Sequence, residues 1–209
     1  MSKVRVRQHV NPFSPQYQKQ IPEPDWNNLF EDFNKPLHID LGCAKGKLIL
    51  QLSQNDPSTN YLGVEIRKPL VDYANEFKNN LQINNLAYLF ANVTVSPNTV
   101  FNNNTKDKVS SISILYPDPC FKKKHHKRRM VQDNLVNEIA KYTKSGTKIY
   151  LASDILEVIE DMLEKFLKND NFCKMTEDWT DDFLPIQSER EIATLNKGLP
   201  VYRIILSRK

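Results

Sequence analysis

From residue 37 to residue 167 the chain alternates short apolar runs with longer amphipathic ones, and this rhythm restricts its fold more than any other feature. LHIDL at 37–41 is followed by KGKLILQL, then NYLGVEI, then a helical stretch over about 69–82. AYLFANV, the strand VSSISILY at 109–116, a helix over about 131–142, the strand TKIYLAS at 147–153 and a helix over 155–167 continue the pattern. Strands separated by helices are joined by crossovers, so they pair in parallel and both sheet faces are covered. The tail VYRIILS, at 201–207, reads as a further strand that closes the sheet as an antiparallel edge. The expected fold class is α/β with a mostly parallel sheet.

With 209 residues, 40% of them hydrophobic, the chain suits one well-packed core, which we place at 25–209 as a single domain. Residues 1–24 carry Pro12, Pro15, Pro22 and Pro24 behind Lys3, Arg5, Arg7 and His9, and read as a basic, extended arm. No run approaches the roughly 20 apolar residues of a membrane helix, and the N-terminus lacks the apolar core of a signal peptide. A soluble, cytoplasmic protein is expected. Cys43, Cys120 and Cys173 are odd in number and far apart, which predicts reduced thiols and no metal site. The net charge of +4 hides a strong local field, because residues 122–129 (KKKHHKRR) hold six permanent cations and two histidines.

In open α/β sheets ligands bind beyond the carboxyl ends of the strands. The first such loop holds Gly42 and Gly46, spaced one residue too closely for a Walker loop, with Leu48 where a hydroxyl would hold magnesium. Ala44 replaces the middle glycine of a dinucleotide fingerprint. What remains is a glycine turn for a ligand without phosphates, flanked by Asp40 and by Glu65 at the end of the next strand. A carboxylate there is placed to accept from ribose hydroxyls, and S-adenosylmethionine carries both a ribose and a cationic amino acid moiety.

VSSISILY empties into Tyr116-Pro117-Asp118-Pro119-Cys120. Prolines on both sides stiffen the loop around Asp118, as rigid placement of a catalytic carboxylate requires. The basic run follows at once, and such a run beside a methyl-donor site points to nucleic acid: Lys123, Lys124, Lys127, Arg128 and Arg129 are the expected phosphate contacts.

HIDLGCAKG, YLGVEIRKPLV, YPDPCFKKKHHKRRMV and SEREIATLNKGLPVYR together resemble the tRNA (guanine-N7-)-methyltransferases, from about residue 37 to the C-terminus. VRVRQHVNPFS is similar to the lead-in of some bacterial members. The resemblance implies a Rossmann-like class I methyltransferase fold with a seven-stranded sheet, S-adenosyl-L-methionine as methyl donor, and N7 of a guanine in the tRNA variable loop as target. It implies that Asp40, Gly42, Glu65, Asn92 and Asp118 line the donor pocket, with Asp118 catalytic. It places Lys122, Asp154 and the segment from Ser188 to Glu191 at the RNA or its target base, and it implies neither a membrane nor an obligatory protein partner. The family usually has Trp where Cys120 stands and Thr where Ser188 stands. Residues 188–191 also fit a helix capping box.

Three other readings are weighed against this one. Pro119-Cys120 resembles the Pro-Cys dipeptide of cytosine-C5 methyltransferases, and the neighbouring lysines could lower that thiol's pKa. Asp118-Pro119-Cys120-Phe121 matches in part the motif of enzymes that methylate exocyclic amines. A non-catalytic RNA-binding protein on the same fold is the third, against which the intact Asp40, Glu65 and Asp118 argue.

Overall fold

The computed structural model describes residues 10–19 and 21–209. After a short α1 (Trp26–Leu29), the alternation unfolds as expected: β1 (Leu37–Leu41), α2 (Lys47–Asn55), β2 (Asn60–Glu65), α3 (Lys68–Asn80) and β3 (Leu86–Phe90). The second half runs β4 (Val109–Leu115), α4 (Asp133–Tyr142), β5 (Lys148–Ser153), α5 (Leu156–Leu167), β6 (Phe172–Lys174), α6 (Glu189–Leu195) and β7 (Tyr202–Arg208). Every residue of β1 and β2 is buried, as strands covered on both faces must be. The polar residues among them, His38, Asp40, Asn60 and Glu65, therefore need internal partners.

The seven strands lie in the order β3-β2-β1-β4-β5-β7-β6, with β1 to β5 parallel and β7 antiparallel to both neighbours. The order reverses between β1 and β4, which opens a crevice at their carboxyl ends. The larger core packs Ile39, Leu41, Ile112 and Ile114 against α4 and α5. A smaller one packs Ile49 and Leu52 of α2 and Val71 and Ala74 of α3 against Tyr61 and Tyr88.

Several boundaries differ from expectation for local reasons. The third helix stops at Asn80 because Gln82 adopts a left-handed conformation. β6, flanking β7, has three residues and no readable period. In the N-terminal segment Pro15–Tyr17 form a 3-10 turn, set up by proline at its first position, so the described part of the arm is not uniformly extended. Lys3, Arg5, Arg7 and His9 lie outside the described residues. Among the described residues no helix is long and apolar enough to cross a membrane.

Gly46 leads into α2 at φ +70, and a Cβ there would lie 2.1 Å from the Tyr88 ring. The Tyr88 hydroxyl donates to the Gly46 carbonyl at 2.8 Å, so the ring cannot simply swing away. Gly46→Ala combines left-handed strain with overpacking and is expected to lower stability by about 3 kcal/mol, read as a fall in the urea midpoint at unchanged m-value.

Candidate active site

At the carboxyl ends of β1 to β4 the chain lines a cavity of about 230 Å³, whose walls include Gly42, Glu65, Asn92, Tyr116, Asp118 and Arg128. The glycine turn is built from left-handed residues, Gly42 at φ +86, Ala44 at +51 and Gly46 at +70. The Gly42 and Cys43 amides donate to the Val64 carbonyl at 2.8 and 3.1 Å, tying the turn to β2. This leaves the Ala44 amide aimed at Glu65 Oε2, 3.1 Å away, while the Arg67 amide donates to Oε1 at 2.9 Å. Each carboxylate oxygen so held keeps a lone pair for a ligand hydroxyl. Burial raises the Glu65 pKa, and the two amides act against that rise.

Asp40 is 5% exposed and sits behind the turn, where its neighbours Leu41 and Gly42 form the cavity wall. Burial pushes its pKa up to about 6, the Ser113 hydroxyl holds it down and the Glu65 charge adds to the rise. Its carboxylate accepts from Ser113 at 2.7 Å, and the N-cap of α2 is Gly46, so Asp40 does not cap that helix.

Asn92, just past β3, is buried, and its Nδ2 donates to the carbonyls of Pro12 and Tyr17 at 2.9 Å each. The N-terminal segment is thereby fastened beside the cavity, and Val10 and Pro12 join its wall. Asn92 Oδ1 is buried without a hydrogen-bond partner among the described residues.

Two left-handed non-glycine residues, Tyr116 at φ +51 and Cys120 at +46, bracket Asp118. The Cys120 amide donates to Asp118 Oδ1 at 3.0 Å. Residues of this kind persist only where surrounding structure holds them. Here the holder is Arg129, whose Nε donates to the Pro119 carbonyl at 2.9 Å. Its other nitrogens meet Glu157 at 2.6 Å and Asp161 at 3.4 Å.

The placement corrects one expectation. Arg129 is 4% exposed and spends its donors inside the protein, so it leaves the set of RNA phosphate contacts. Lys122, Lys123, Lys124 and Lys127 are exposed, on or beside the 3-10 helix Lys123–Arg128, whereas Arg128 is half-buried in the cavity wall. The Cys120 thiol is not activated by its cationic neighbours either. Burial and the Asp118 charge push it up to about 11, outweighing Arg129 and Arg128, so it is protonated at neutral pH.

Across the crevice, Asp154, just past β5, pairs with Arg190 of α6. Ser188 caps α6 by accepting from the Glu191 amide at 3.2 Å. Only half of the capping box forms in side chains, because the Glu191 carboxylate turns inward to Nε and Nη2 of Arg203, at 2.9 and 2.8 Å. The Glu191 charge also helps burial to raise the pKa of the Tyr116 phenol. Arg203 and Tyr116 thus shape the site although sequence reasoning did not single them out for it, Arg190 lies in the segment 188–191 that the resemblance assigned to the RNA, and Arg129 was expected at phosphates and not as a brace. A lone Arg in the apolar strand of residues 201–207 was the one available signal.

A family of putative methyltransferases has a model that matches residues 34–204. A tRNA (guanine-N(7)-)-methyltransferase of Microcystis aeruginosa is 45% identical over 205 residues, 97% of each chain. One from Synechococcus elongatus is 42% identical over 210 residues, 100% of this chain and 99% of that one. Among solved structures, geranyl diphosphate C-methyltransferase of Streptomyces coelicolor, crystallised with Mg2+, geranyl diphosphate and S-adenosyl-L-homocysteine, superposes with a TM-score of 0.53. It is 15% identical and the match covers 84% of this chain and 74% of that one, a likeness of fold alone.

Removing the Arg129 guanidinium strips the Pro119 carbonyl of its donor and leaves Asp161 without that partner. Arg129→Ala is expected to lower stability by about 2 kcal/mol, less than for a fully buried pair because Glu157 is solvent-exposed. Arg129→Lys, which keeps the charge and loses the fork, should recover part of the urea midpoint.

Proposed function

Because the chain belongs to the tRNA (guanine-N7-)-methyltransferase family, we propose that it moves the methyl group of S-adenosylmethionine to guanine N7 in tRNA, in the cytoplasm and without a second subunit. The observation that carries this reading is the convergence on one cavity of Glu65, Asn92 and Asp118, with exposed lysines beginning four residues after Asp118.

The cavity fits the donor's chemistry. Glu65 holds lone pairs for ribose hydroxyls, and the orphaned Asn92 Oδ1 is an acceptor suited to an amino group. Asp40 adds negative charge behind Gly42, which favours a cationic ligand. Bound there, S-adenosylmethionine supplies a methyl group on a sulfonium, an electrophile that needs no metal.

Guanine N7 already carries a lone pair, so no residue has to remove a proton before transfer. Catalysis is then positioning and electrostatics. Asp118, held by the Cys120 amide within a strained loop, orients the guanine and offsets the positive charge that the ring acquires. Glu191, fixed by Arg203, and Asp154, paired with Arg190, frame the base from α6 and β5. Ser188 sets the start of α6, and Lys122, Lys123, Lys124 and Lys127 take the RNA phosphates, with Arg128 between the two regions.

The cytosine-C5 reading requires a thiolate at Cys120, and burial there disfavours one. Purified protein, unmodified tRNA and labelled donor, followed by nucleoside mass spectrometry, are expected to yield 7-methylguanosine. Detection of 5-methylcytidine or a methylated amine instead would overturn the target. Asp118→Asn should lower turnover by roughly a hundredfold, as loss of one preorganised electrostatic group does. Cys120→Ser should remain active, and its inactivity in a folded protein would reopen the covalent route.

A further inference from the structure

Behind the glycine turn, four polar side chains of β1 and β4 form a continuous row inside the sheet. Ser111 Oγ lies 2.7 Å from His38 Nδ1, His38 Nε2 lies 3.0 Å from Ser113 Oγ, and Ser113 donates to Asp40 Oδ1 at 2.7 Å. Strand register produces this arrangement: His38 faces Ser111, Asp40 faces Ser113, and residues two apart point to the same side. His38 is 4% exposed, Ser113 0% and Asp40 5%, so no member of this trio relies on bulk water.

The chemistry of the groups sets the direction of the row. An ionised carboxylate only accepts, so the Ser113 hydroxyl donates to Asp40. Its oxygen then receives the Nε2 proton of His38, and Nδ1, bare in the neutral ring, accepts from Ser111. Every donor points toward Asp40, and such chains strengthen one another inside a protein. Apolar residues at 38 and 113 would fill the same space without the desolvation penalty of two buried polar groups. The row ends on the carboxylate of Asp40, two residues before Gly42.

We propose that Ser113 and His38 are positioning residues for methyl-donor binding, which hold Asp40 ionised and fixed in orientation behind Gly42. The inference rests on the reading of Asp40 as part of the donor site.

The surroundings agree with it. Glu65 of β2 pushes the Asp40 pKa upward, and the Ser113 hydroxyl is what restrains it. The Cys43 thiol and the Tyr88 phenol, also near Asp40, are both raised by burial and stay neutral. Burial drives His38 down to about 4, so its ring is neutral wherever Asp40 is charged. Loss of the Ser113 donor must then raise the Asp40 pKa further and carry the acid limb of donor binding to higher pH.

The test is calorimetry of S-adenosylmethionine binding to the full chain, without RNA, from about pH 5 to pH 8, alongside melting curves. Ser113→Ala is expected to weaken binding roughly tenfold near neutral pH, the scale of a hydrogen bond to a charged group, and to shift the acid limb upward. Ser113→Thr, which keeps the hydroxyl, should restore both. His38→Leu should act in the same direction and more weakly. In the Ser113→Ala background it should add nothing, because His38 reaches Asp40 only through Ser113.

If Asp40→Asn weakens binding while Ser113→Ala leaves affinity and the acid limb unmoved, the row is packing and the inference falls. Additive effects of the two substitutions would remove His38 from it. Unchanged affinity in Asp40→Asn would instead refute the reading of Asp40 itself.

Discussion

Two carboxylates buried beside one another at the ends of adjacent parallel strands set the terms for everything around them. Asp40 and Glu65 repel each other, and burial raises the pKa of both. An isolated charge in such a place is costly unless donors reach it. The protein supplies those donors from two directions: the left-handed glycine turn delivers the Ala44 amide to Glu65, and β4 delivers the Ser113 hydroxyl to Asp40. Both deliveries depend on the parallel register, because only crossover connections set the carboxyl ends of β1, β2 and β4 side by side. A cationic ligand relieves the repulsion that remains, so the pocket is matched to its occupant and not to its own rest state.

Strain is concentrated where chemistry is expected. Ala44, Tyr116 and Cys120 are three of the five non-glycine residues with positive φ among those described, and all three border the cavity or its loops. Backbone of this kind needs external support. Val64 supports the first turn through its carbonyl and Arg129 supports the second through Pro119. Stiffness at Asp118 thus comes from an arginine eleven residues downstream as much as from the flanking prolines.

This explains which features were legible in sequence. The β1 and β2 strands, the glycine turn and the Asp118 loop are local and carry their own signals, namely period, glycine spacing and proline. Arg129 carries none. Within KKKHHKRR it is chemically identical to Arg128, and its burial is decided by Glu157 and Asp161 on a helix distant in sequence. Prolines announce a constrained loop without disclosing that its flanking residues turn left-handed. Asn92 was placed at the pocket, but its grip on Pro12 and Tyr17 joins segments some 75 to 80 residues apart. Asp40 finds its Ser113 partner through the register of β1 with β4, which the sequence of either strand alone does not disclose.

The division of charge in the site has a mechanical consequence. At the ends of β1 and β2 the carboxylates are met by a hydroxyl and backbone amides, which act against the rise in pKa that burial causes. Beyond β5 and at α6, Asp154 and Glu191 are each matched by an arginine, which offsets their negative charge. The exposed lysines begin four residues after Asp118. Arg129 belongs to the same basic run and clamps the Asp118 loop. The segment of exposed lysines and the loop that presents the Asp118 carboxylate are therefore parts of one braced unit.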